Sequence, residues 1–194
     1  MAGEIKCRSE DKILANKKEW LRRCAKLEFD RTQLLKYLDA VDYWHAPYSS
    51  NGPYNYDGGL CEFSLKLGND LGQLCEAYRP GQYSVRDILS VSLFYGRDFA
   101  ELYEKYFKNT KAESGEWVQV PAYRYRENRA VYGDLMFSSY MTAKHFYPGF
   151  TDEQTEALVL AGTKQEFAGD INEIKKSYPL VVLTQMATQS TLYL

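Results

Sequence analysis

Apolar side chains near the start of the chain return every three or four residues. Ile13, Leu14, Trp20, Leu21, Cys24 and Leu27 keep this spacing, which predicts an amphipathic helix from about residue 10 to 28. Asp30 with Gln33 reads as the N-terminal cap of a second helix carrying Leu34, Leu35 and Leu38, fading into Tyr43-Trp44-His45-Ala46-Pro47. Tyr48 to Gly59, built of Ser, Asn, Gly, Pro, Tyr and Asp, is too stiff for a tether and reads as an ordered loop. From Leu60, the residues Phe63, Leu67, Leu71, Leu74 and Tyr78 mark one face of a long helix, which Arg79-Pro80-Gly81 ends.

Ser84 with Asp87 resembles a capping box opening the next helix. Its apolar residues are Val85, Ile88, Leu89 and Leu93, and the spacing continues through Phe99, Leu102, Tyr103 and Tyr106. Residues 108 to 116 are polar and read as a surface loop. Trp117-Val118-Gln119-Val120 and Tyr123-Arg124-Tyr125-Arg126 alternate, which predicts two short strands joined at Pro121. A helix from about 134 to 146 follows. Thr151 with Gln154 caps another, bearing Ala157, Leu158 and Leu160. Ser177-Tyr178-Pro179 opens the last, with proline near the first turn, where a helix tolerates it. There is no internal repeat and no domain boundary. The expectation is one all-α domain over residues 1–194, a helical bundle with one small β-hairpin near 117 to 126.

Composition narrows the class. The 194 residues are 45% hydrophobic and 26% charged, ordinary for a globular chain and against disorder. A net charge of −2 gives no footprint for duplex nucleic acid. No apolar run approaches the length of a membrane span, the amino terminus lacks an apolar signal core, and Ala2 stands where a myristoylation signal needs Gly. A cytoplasmic location is expected. Cys7, Cys24, Cys61 and Cys75 form no C-x-x-C pair, and three of them fall on apolar helix faces, as buried reduced thiols would. The 17 tyrosines suit a polar-lined pocket, a contact surface, or a core that uses Tyr in place of Phe.

Several motifs then occur in a specific order. His45-Ala46-Pro47-Tyr48-Ser49 precedes Tyr56-Asp57-Gly58-Gly59-Leu60-Cys61-Glu62-Phe63-Ser64-Leu65. Gly115-Glu116-Trp117-Val118-Gln119-Val120 with Tyr123 comes next, then Thr151-Asp152-Glu153-Gln154 with Ala157-Leu158, then Tyr178-Pro179-Leu180-Val181-Val182-Leu183. Over roughly residues 32 to 190 this order resembles the small HD-domain proteins common in bacteriophage genomes. Their pattern is an Ala-Pro-x-Ser loop containing a His, a Gly-Gly-Leu-x-x-His-Ser helix start, a Gly-Lys-Trp hairpin, a Leu-Thr-x-Glu-Glu helix start and a closing helix. The resemblance implies an HD-like helical fold and a phage-encoded chain.

It also implies a metal phosphohydrolase site, in which imidazoles and carboxylates hold metals that activate water. Here the residues depart from the pattern. The helix-opening His-Ser reads Phe63-Ser64, and the His-Asp pair that gives the family its name falls on Phe94-Tyr95. The loop His falls near Pro53, a Gly-His-Gly-Glu reads Gly133-Asp134-Leu135-Met136, a further His falls near Ala161, and the closing Ala-Asp reads Ala187-Thr188. The chain holds 2 histidines, His45 and His145, both expected to be structural. Aromatic and aliphatic side chains cannot replace such ligands. A carboxylate-only site of Asp134, Asp98 and Glu62 would be the remaining way to hold magnesium.

The expectation is a pseudoenzyme without cofactor. The degenerate cleft, built from Phe63, Ser64, Phe94, Tyr95, Arg97, Arg124, Arg126 and Asp134, would stack a base and pair with a phosphate. Arg124, Arg126 and Arg129 alternate with Tyr123 and Tyr125, which also describes a solvated hairpin. The Gly58-Gly59 helix entry offers backbone N–H groups to an anion. The partner expected is a nucleotide-like small molecule, sequestered in a counter-defence role. Alternatively it is a host or phage protein held by a tyrosine-rich surface, and an active hydrolase with a rearranged site is a third option. Phe63 packing on Phe94 would instead close the cleft.

Overall fold

The computed structural model describes residues 9–112, 114–127, 135–161 and 171–194. Cys7, Arg129, Gly133 and Asp134 lie outside them. The described elements, in order, are α1 (Glu10–Cys24), α2 (Thr32–Ala40), α3 (Gly59–Tyr78), α4 (Val85–Phe94), β1 (Tyr103–Lys111), β2 (Trp117–Tyr125), α5 (Leu135–Phe146), α6 (Asp152–Leu160), α7 (Ile171–Ser177) and α8 (Pro179–Tyr193). The fold is mainly helical with one small hairpin, as expected.

Helix starts follow local chemistry. Ser84 Oγ accepts from Asp87 N at 3.3 Å, and Asp87 Oδ2 accepts from Ser84 N at 2.8 Å. Thr151 and Gln154 make the same reciprocal pair at 3.2 and 3.1 Å. Each box satisfies orphan amide donors that a bare helix end would leave open. Asp30 accepts from Thr32 N at 3.0 Å ahead of α2, and Pro179 sits in the first turn of α8. Gly58 has φ +79, and a Cβ on Gly59 would lie 2.1 Å from the Tyr54 carbonyl oxygen. Both glycines are therefore required to bring the loop back onto the start of α3.

α3 is the central helix, with α8, α4 and α1 packed around it and α6 against α4 and α8. Trp20, Leu34, Phe63, Leu67, Phe94 and Val181 are fully buried in one core. Cys24, Cys61 and Cys75 are free and buried, and burial pushes their thiols up to about 12, 12 and 11. Among the described residues, no helix is long and apolar enough to cross a membrane.

The region after α4 differs from the expectation. The helix stops at Phe94 because Tyr95 is extended and Gly96 is left-handed at φ +62, and a 3-10 turn (Arg97–Glu101) leads into β1. Leu102 and Tyr103 continue the helical spacing in sequence, yet bury with Tyr123 in a small separate cluster at the hairpin base. The residues expected as a loop are strand to Lys111, followed by a turn with Gly115 at φ +86. β2 runs straight through Pro121 and pairs with β1, Phe107 opposite Pro121. Proline is tolerated there because the pair is an unbonded one, in which neither residue's N–H points at the partner strand.

Candidate functional site

The positions that the sequence reading assigned to lost metal ligands partly converge. Phe63 projects from the first turns of α3, Tyr95 ends α4, and Thr188 lies on α8. The Phe63 and Tyr95 rings are 6.1 Å apart, and the Tyr95 hydroxyl lies beside the Thr188 side chain. Phe63 stacks on Tyr48 at 3.9 Å and meets Tyr54 edge-on at 5.6 Å. Phe94 turns elsewhere, stacking on Tyr147 at 5.9 Å and meeting Phe150 edge-on at 5.4 Å. Phe63 and Phe94 thus belong to two different ring clusters, rather than packing on each other. Ser64 Oγ donates to the Cys61 carbonyl at 2.9 Å and accepts from the Tyr43 hydroxyl at 3.3 Å. Burial pushes the Tyr43, Tyr48 and Tyr95 hydroxyls up, so all three stay protonated at neutral pH.

Arg97 is the unusual polar residue. It is 1% exposed, and its Nη2 donates to Oδ1 of the equally buried Asp98. Asp98 Oδ2 accepts from Ser138 Oγ at 2.6 Å and Thr142 Oγ1 at 3.3 Å, and the Asp98 amide donates to Ser139 Oγ at 3.1 Å. The guanidinium lies 4.7 Å from the Tyr37 ring, and its Nε and Nη1 have no hydrogen-bond partner among the described residues. A fully engaged Asp98 carboxylate is a brace between the 3-10 turn and α5, which leaves little for a magnesium site with Glu62.

The remaining expected residues lie on the hairpin. Arg124 is bonded to Glu104 at 2.7 Å, and Arg126 Nε donates to the Tyr103 carbonyl at 2.8 Å. Strand alternation puts Tyr123 and Tyr125 on the face opposite Arg124, and Arg124 and Arg126 are exposed whereas Phe63 and Tyr95 are buried. Paired residues share a face, so one face carries Tyr103 with Tyr125, Lys105 with Tyr123, Phe107 with Pro121, Asn109 with Gln119 and Lys111 with Trp117. At its base Tyr103 and Tyr123 are buried, and Asp57 ties that base to the loop before α3 through Tyr123 and, at 2.6 Å, Lys105. Farther out, Phe107 is 66% and Trp117 73% exposed. This aromatic face was missed in the sequence; the alternation of Tyr103, Lys105 and Phe107 was its signal.

His45 Nδ1 lies 2.6 Å from Asp42, whose hydrogen bond raises the imidazole above its ordinary range, and His145 packs on Phe146. Surface clefts of about 570 Å3, beside Arg22, Arg23, Lys26 and Glu76, and about 320 Å3, beside Tyr78, Arg79 and Lys175, share no residue with the expected site. Comparison with protein-family models, curated proteins and solved structures finds no match for this chain.

Proposed function

We propose that this chain is a non-catalytic, HD-like cytoplasmic protein that acts by holding a protein partner on the aromatic face of its hairpin. The carrying observation is the exposure of Phe107 and Trp117 on one face of an arm whose base is buried. Large aromatic side chains left in water on a rigid element are what binding interfaces use as anchors. The HD-like part of the reading is supported by motif order and by the meeting of Phe63, Tyr95 and Thr188, side chains unable to ligate a metal as imidazole and carboxylate do. Buried, unpaired thiols accord with a reducing compartment.

The test is affinity capture from host-cell extract with the wild-type chain and with Phe107→Ala/Trp117→Ala. A protein retained only by the wild type, and protecting residues 103–125 from hydrogen exchange in a purified complex, supports the reading. A complex that protects other surfaces, or is indifferent to both substitutions, overturns it.

A second reading keeps the nucleotide-like ligand. Its specific support is Arg97, whose unpaired Nε and Nη1 suit an anionic oxygen beside the Tyr37 ring. Calorimetric titration with linear and cyclic nucleotides tests it, and binding unaffected by Arg97→Met removes it.

A further inference from the structure

The two long edges of the hairpin are not equivalent. In an antiparallel ribbon, residues in bonded pairs turn N–H and C=O inward, and residues in unbonded pairs turn theirs outward. Arg126 N donates to the Leu102 carbonyl and Ala112 N to the Glu116 carbonyl, so the even-numbered pairs are the bonded ones. The outward positions of β2 therefore include Pro121, which has no N–H to offer. That interrupts the edge, a known guard against strand addition. On β1 the outward groups belong to Lys105, Phe107, Asn109 and Lys111, and no described strand lies beyond them. One edge is blocked and the other open.

Charge selects what fits the open edge. β1 carries Lys105, Lys108 and Lys111 against one carboxylate, Glu104, which Arg124 holds. Asp57 binds Lys105, while Lys108 and Lys111 are exposed and without an ion-pair partner among the described residues. A second copy of the chain is a poor occupant, because pairing two β1 edges doubles the lysine row, and facing like charges destabilise a ribbon. We propose that the outer edge of β1 is a strand-addition site for an extended, acidic segment of a partner protein. Main-chain bonds to the four outward residues would supply affinity, carboxylates on one face of the added strand would meet Lys108, and apolar side chains on its other face would lie beside Phe107. This deepens the reading of the hairpin as a binding arm and rests on it.

The full chain, labelled for amide detection, is titrated with a short synthetic peptide alternating Glu and Val. The amides of Lys105, Phe107, Asn109 and Lys111 are expected to gain protection from exchange, while Gln119 on the blocked edge does not. Affinity should fall by roughly tenfold or more in Lys108→Glu, which faces the peptide's carboxylates, and again in Phe107→Pro, which removes one outward N–H and leaves pairing to β2 intact. Unchanged urea midpoints verify that these variants fold. Absence of binding, equal binding of a Lys-Val peptide, or full binding of an N-methylated Glu-Val peptide each overturn the edge proposal. The hairpin reading survives any of these if the captured partner still requires Phe107 and Trp117. It falls separately if that partner ignores them.

Discussion

The helical body and the hairpin use the same kinds of side chain to opposite ends. In the body, Trp20, Phe63 and Phe94 are fully buried and each touches other rings; on the hairpin, Phe107 and Trp117 stand mostly in water. The difference is geometric. A helix in a bundle can be surrounded by others, as α3 is by α1, α4 and α8, whereas among the described residues the two-stranded ribbon has no second layer beyond its base. Rings in the body hold the fold together, and rings on the arm remain available. Every substitution below asks whether that division is real.

The largest effects belong to the body and its joint with the arm. Phe63→Ala should lower stability by about 3–5 kcal/mol, read as a shift in the urea midpoint, since rings on several sides cannot all collapse into the space. Asp98→Ala should cost a similar amount, about 3–5 kcal/mol, because it strands the Arg97 charge in the interior. Replacing both by apolar residues, Arg97→Met/Asp98→Leu, should recover much of that loss. A midpoint for Phe63→Ala close to the wild type would mean that the cluster is loose, and the cleft reading would regain ground.

The next effect is alkaline. Burial raises Cys24, Cys61 and Cys75 in the folded state, and Tyr43 and Tyr48 move the same way. A group raised by folding contributes its full stability below its unfolded pKa, about 8.5 for a thiol, and loses it as pH climbs toward the folded value. The midpoint should therefore fall steadily above about pH 8.5, toward the folded thiol values of about 11 and 12. Below that window a thiol reagent should label these cysteines no faster than the chain unfolds. Rapid labelling at neutral pH would show a body that opens locally.

A smaller loss is expected at a helix start. Ser84→Ala removes half of the capping box on α4 and should cost about 1 kcal/mol, with Thr151→Ala on α6 comparable. These caps were also the most legible features of the sequence, because a side chain bonding an amide three residues away is a local event. The long α3 was legible for a related reason, since Phe63, Leu67, Leu71 and Leu74 declare one face. β1 was not legible. Phe99, Leu102, Tyr103 and Tyr106 fit a helical period, and only Gly96 and a partner strand that begins at Trp117 override it. α7 had no apolar stripe to announce it. At the candidate site, the meeting of Phe63, Tyr95 and Thr188 could be inferred from motif order, but the rings packed against Phe63 and Phe94 could not. Tyr48 and Tyr147 arrive there from distant segments. Arg97 looked like a pocket cation because its partner Asp98 gives no sign in one dimension of being buried.

The smallest expected effect decides most about the comparison. Trp117→Ala and Phe107→Ala should each leave the urea midpoint within about 0.5 kcal/mol of the wild type, as surface substitutions do. In a core, removing either ring would cost about 3–5 kcal/mol, so the two outcomes lie far apart. Tyr123→Ala is the internal reference on the same strand and face. It is 7% exposed, packs with Leu102 and Tyr103, and bonds Asp57, so its loss should be clearly measurable. A gradient along one face, costly at Tyr123 and silent at Trp117, is what an anchored arm with a free end requires. A large loss at Trp117 would mean that its ring is covered in the folded chain, and the binding reading would lose its principal support. Silence at Tyr123 as well would mean that the whole ribbon is detachable, and that Asp57 and Lys105 do not hold it in solution.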